Sequence, residues 1–198
     1  MFLAALIRRS VGRVGGLLAG VALVLAGLQW VLVLVAAQQE RSQSFDLIAQ
    51  LAPAFVQRQF GATLPAFLSF GGLITFGYFH PVVVLMVAVL AAFVGSELAA
   101  DVEGGQVDLL LSRPLARHWL VTRSLLLVVL GPLALVVIMM TSSRVALGVF
   151  APEGAQWPSA RSIASMAAHL VAIAWCFGTL GLALASMATR RLDRKSVV

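Results

Sequence analysis

Lysine is almost missing from this chain: Lys195 is the only one in 198 residues. That excludes a phosphate-binding loop of the G-x-x-x-x-G-K-[ST] kind, because Lys195 follows Arg194 rather than a glycine. Cysteine is as scarce. Cys176 alone can form no disulfide within the chain and offers no metal-ligand spacing, so it is expected to pack as a small hydrophobe. Charge is also short, at 11% of residues against 61% hydrophobic, and the mean hydropathy is +0.99. So few charges cannot coat a water-facing surface. The chain also lacks G-x-S-x-G and H-E-x-x-H, so neither a nucleophile elbow nor a zincin helix is present. No cofactor or metal is expected in this chain, and no enzymatic activity of its own.

What the chain has instead is long apolar runs. A bilayer core of about 30 Å takes roughly 20 apolar residues in a helix. Four runs qualify, at about 14–37, 81–99, 124–141 or slightly beyond, and 163–188. None alternates with period two, so helices rather than barrel strands are expected. The fold class is therefore all-α: one polytopic membrane domain over 1–198, with about four transmembrane helices and interfacial helices. The first run has an apolar core of about 23 residues, longer than the roughly 7–15 of a secretory signal. It reads as a retained span. The segment Met1–Val11 suits a short surface helix ahead of it. Leu64–Phe79, broken by Pro65 and Gly71-Gly72, reads as an interfacial or re-entrant helix, with a fifth span as the alternative. Between 38 and 65, Phe45, Leu47, Ile48, Leu51, Ala52, Phe55 and Val56 lie among polar residues at spacings that give one apolar helical face, interrupted at Pro53.

Basic residues set the expected orientation. With four spans, Arg8, Arg9, Arg13, Arg113, Arg117, Arg123, Arg190, Arg191, Arg194 and Lys195 share one side, against Arg41, Arg58, Arg144 and Arg161 on the other. The positive-inside rule then puts both termini and the loop near residues 100–123 in the cytoplasm, and the expected location is a bacterial inner membrane. The net charge of +6 is accounted for by topology, and no soluble basic face with aromatics suggests nucleic acid. Two small-residue stripes, Gly12/Gly16/Gly20 and Ala174/Gly178/Gly181/Ala185, offer close helix contacts within the chain or to a second copy. His169 is expected as a packed or hydrogen-bonded residue, and Arg144 as one that snorkels to the interface.

The polar island Glu97–Arg123 stands out against this background. Gly104-Gly105 allows a sharp break after the second span. Val107, Leu110 and Leu111 give one apolar helical face, and Pro114 ends that helix by biasing Arg113 out of the α region. Glu97 is expected at the membrane interface, with Arg123 or Arg117 as partner. The stretch Glu103-Gly104-Gly105-Gln106-Val107-Asp108-Leu109-Leu110-Leu111-Ser112-Arg113-Pro114-Leu115-Ala116-Arg117 resembles the first cytoplasmic loop of type-2 ABC transporter permeases. In that family a span ends in acids, then come Glu-x-Gly-Thr, a short leucine-rich helix, and a small residue, a polar one, Pro and a nearby Arg. Asp101, Glu103 and Gly105 match the acidic and glycine positions, Leu109 to Leu111 the apolar run, and Ser112-Arg113-Pro114 with Arg117 its end; Gln106 stands where Thr is usual.

The resemblance implies the membrane half of an ATP-driven exporter. ATP and magnesium are expected on a separate nucleotide-binding ATPase subunit, and a homodimer or pairing with a second permease is expected in the lipid bilayer. Glu97, Asp101, Glu103, Gly105, Leu110, Leu111, Arg113, Pro114 and Arg117 are then the expected ATPase-coupling residues. Such permeases have six spans, and four are read here, so the chain is a fragment, an early-ended reading frame, or a part that another polypeptide completes. The alternative class is a small non-transport membrane protein, an anchor or a haem-binding subunit using His80 and His169.

Overall fold

A computed structural model of the protein describes residues 2–42, 64–104 and 118–193, together with positions 51, 53, 55 and 58. All regular structure among them is helical, in the order α1 (Phe2–Arg41), α2 (Leu64–Phe67), α3 (Phe70–Phe76), a 3-10 turn (Gly77–Phe79), α4 (Pro81–Glu103), α5 (His118–Phe150) and α6 (Ala160–Asp193). Among the described residues four segments are long and apolar enough to cross a membrane: Ser10–Arg41, Phe70–Glu103, His118–Phe150 and Ala160–Met187. Large apolar side chains face outward on every long helix, among them Leu23, Leu85, Val89, Leu130, Val137, Val145, Leu180 and Leu184. In water such a surface would be one continuous adhesive patch. In lipid it is the solvent-facing surface, and the chain is a multi-pass helical membrane protein.

Several boundaries differ from the sequence expectation. Met1–Val11 is not a separate surface helix. From Phe2 the chain is continuous with the first span, because Gly12, Gly15 and Gly16 keep negative φ and no proline intervenes. The 64–79 stretch forms two short helices and the 3-10 turn, and from Phe70 onward it belongs to the second candidate span. The break at Ser69 is capped, since the Ser69 hydroxyl accepts from the Gly72 amide at 3.1 Å. Gly72 is required there, as a Cβ would overlap the carbonyls of Ala66 and Phe67. The third candidate span, α5 at His118–Phe150, runs well past the apolar core read at 124–141, whereas the fourth, Ala160–Met187, lies within three residues of the expected 163–188. The expected apolar face between 38 and 65 lies almost wholly outside the described residues.

The chain forms two compact units, one of residues 1–21, 85–135 and 171–198, the other of 22–84 and 136–170. Each long helix contributes to both. In the first unit, Val14, Val87, Leu90, Ala91, Val94, Val128, Leu135 and Ala174 are buried together. The second small-residue stripe is used inside this unit. A Cβ at Gly95 would overlap the Gly178 carbonyl, and one at Gly181 would lie 2.7 Å from the Ala92 carbonyl, so α4 and α6 touch backbone to backbone. Pro132 interrupts the α5 hydrogen-bond ladder, and in the same stretch the Trp175 indole donates to the Val129 carbonyl at 3.1 Å. Cys176, expected to pack as a hydrophobe, is exposed on α6 instead.

In the second unit the core is Val33, Ala36, Ala37, Phe70, Ile74, Ala146 and Leu147. Hydroxyls on outward faces bond back to their own helix: Thr141 to Val137 O at 3.0 Å here, and Thr122 to His118 O at 2.9 Å and Thr179 to Trp175 O at 2.7 Å in the first unit. This local satisfaction lets a polar residue face hydrocarbon at little cost.

Candidate functional site

The first unit contains a buried group of charges built by three helices. Glu97 and Asp101, four residues apart near the end of α4, lie on one helical face. Arg13 reaches them from α1 and Arg123 from the start of α5. Asp101 is held on both oxygens. Arg123 Nη2 donates to Oδ2 at 2.6 Å, and Arg13 donates to Oδ1 from Nη1 at 2.8 Å and also from Nη2. Arg13 Nε lies 3.4 Å from Glu97 Oε1, an ion pair without hydrogen-bond geometry. Side-chain exposure is 41% for Arg13 against 6%, 3% and 2% for Glu97, Asp101 and Arg123.

Two acids and two bases sum to zero, which makes the burial tolerable. Each charge removed from water still loses several kcal/mol of hydration, repaid only where geometry is good. Asp101 meets that condition and Glu97 does not. Both Glu97 oxygens, Arg123 Nε and the Ser10 hydroxyl of α1 are buried without a hydrogen-bond partner among the described residues.

The expected partner Arg123 acts on Glu97 electrostatically while its hydrogen bond goes to Asp101, and Arg13, facing the α4 acids from α1, makes the ion pair with Glu97. Arg117 lies outside the described residues, as do Gly105, Leu110, Leu111, Arg113 and Pro114. Glu103, the last residue of α4, is exposed, and the Gly104 amide closes the helix onto Ala100 O at 3.0 Å. Of the nine expected coupling residues the structure therefore brings Glu97 and Asp101 together. It adds Arg13, which the sequence reading used only for orientation. The signal available was arithmetic: two acids on one face at the end of α4 outnumber Arg123 and call for a second cation.

The second unit holds an uncharged polar group. Tyr78 Oη lies 3.0 Å from Ser143 Oγ, which donates to Gln29 Oε1 at 3.0 Å, and all three residues are fully buried. Gln29 is the polar exception inside the first apolar run, and that alone marked it. The same unit has an open cavity of about 1340 Å³, with Glu40, Phe79, Trp157, Arg161 and His169 among its lining residues. His169 is exposed, and its Nδ1 lies 2.6 Å from the Ser165 carbonyl. Arg144 is exposed too. Among the described residues no three His, Cys, Asp or Glu side chains are grouped to hold a metal.

No protein-family model, curated protein or solved structure matches the chain. Fold and site define its class, a multi-pass α-helical membrane protein with a neutral charge cluster buried among three of its helices.

Proposed function

We propose that this chain is the membrane-spanning permease subunit of an ATP-driven ABC exporter, in a bacterial inner membrane with both termini cytoplasmic, coupled to a separate nucleotide-binding ATPase and working as a pair of permeases. The observation that supports this most is the placement of the charge cluster. Asp101 precedes the 105–117 segment, Arg123 follows it, and the two are bonded to each other. A segment that receives force from a partner needs such a base. Movement applied to 105–117 would reach α4 and α5 together, and through Arg13 also α1. The leucine-rich resemblance of that segment supplies the docking surface, and the missing phosphate-binding loop supplies the need for a partner that has one. The chain itself performs no chemistry in this reading.

Charge reversal tests it. Glu103→Arg and Arg113→Glu are expected to uncouple transport from ATP hydrolysis and to weaken copurification with the ATPase, while the chain still inserts in the membrane. Unchanged copurification and transport in both variants would remove the docking assignment.

A further inference from the structure

On the first unit an apolar groove of about 390 Å³ runs between α1 and α4, lined by Leu17, Val21, Leu85, Val89, Leu90 and Phe93. Leu17, Leu85, Val89 and Phe93 are all exposed, so the groove opens outward. One helical turn beyond Leu17 is Arg13, and one turn beyond Phe93 is Glu97. Because those two residues meet at 3.4 Å, both walls lead to the same charged end.

That end presents a cation and hides its anions. Glu97 and Asp101 are buried, whereas Arg13 is 41% exposed. A guanidinium carries five N–H donors. Asp101 takes one from each Nη of Arg13 and Glu97 faces Nε, which leaves two Nη hydrogens for a further acceptor. Gly12 and Gly16 beside it are exposed, and among the described residues nothing lies within 4 Å of where a Cβ on either would sit. Arg13 is also three residues from the start of the Ser10–Arg41 candidate span, a depth suited to lipid headgroups.

We propose that this groove is a binding site for an anionic phospholipid, with one acyl chain along Leu17, Val89 and Phe93 and the phosphate on Arg13. Charge complementarity selects the anionic class. Among the described residues this end of α4 exposes one carboxylate, Glu103, against the exposed Arg8 and the partly exposed Arg13 of α1. The exposed Arg8 adds positive potential nearby. The site is independent of any ATPase partner.

Native mass spectrometry of the purified full chain, titrated with phosphatidylglycerol or phosphatidylcholine of the same acyl chains, tests the proposal. One basic residue at a membrane surface is expected to favour the anionic lipid about fivefold. Val89→Trp fills the groove without touching the charges and is expected to lower phosphatidylglycerol retention. Arg13→Gln is expected to make the two lipids equal. Equal retention of both lipids by the unaltered chain, or undiminished phosphatidylglycerol retention by Val89→Trp, would overturn the site.

Discussion

Asp101 and Arg13 both belong to the buried charge group, yet their removal has different expected consequences. Asp101→Ala leaves the Arg123 guanidinium, at 2% exposure, without its acceptor. Loss of one partner from a buried pair costs about 3–5 kcal/mol. Arg13→Ala takes the ion-pair partner from buried Glu97, but costs less. A carboxyl can be neutralised by a proton whereas the Arg123 guanidinium cannot lose one, and Asp101 keeps Arg123. Unfolding in detergent should therefore rank Asp101→Ala well below Arg13→Ala, and the reverse order would mean that Arg123 finds another anion. In the second unit, Tyr78→Phe removes the hydroxyl that meets Ser143, and bonds of this kind within membranes are worth about 0.6 kcal/mol on average. That change should shift the unfolding midpoint only slightly, and a large drop would mean that the Gln29 network organises more than its own contacts.

Among the elements, the contact between α4 and α6 leaves the least tolerance. A Cβ at Gly95 meets backbone, which cannot swing aside as a side chain can. Gly95→Val is expected to cost about 3 kcal/mol or more. Gly16→Val, on the open face of α1, should be nearly neutral, and thermal unfolding of the two variants checks the contrast. These helices were legible in the sequence because a run of about 20 apolar residues has few alternatives to a span. Their ends were not. Met1–Val11 read as a surface helix ahead of the first span, yet α1 runs unbroken from Phe2 through Gly12 and Gly16, since glycine permits a turn without demanding one. Helix pairing was hidden as well. The Ala174/Gly178/Gly181/Ala185 stripe announced a close contact but not its partner, and the structure spends it on α4 rather than on a second copy. Arg13 was missed for the same reason: which helix faces the α4 acids is a tertiary fact, and counting charges by loop cannot supply it.

At the scale of the molecule, a helical membrane architecture carries a proposed role. Four apolar segments make a multi-pass membrane protein. The role rests on residues 105–117, flanked on both sides by the bonded pair Asp101 and Arg123, as the place where an ATPase attaches. A photo-crosslinking residue substituted for Leu110, with the chain produced in its native cells, tests that claim most directly. A covalent adduct to a protein carrying G-x-x-x-x-G-K-[ST] is expected. Labelling of position 110 by a membrane-impermeant reagent from outside the cell, with no such adduct, would contradict it.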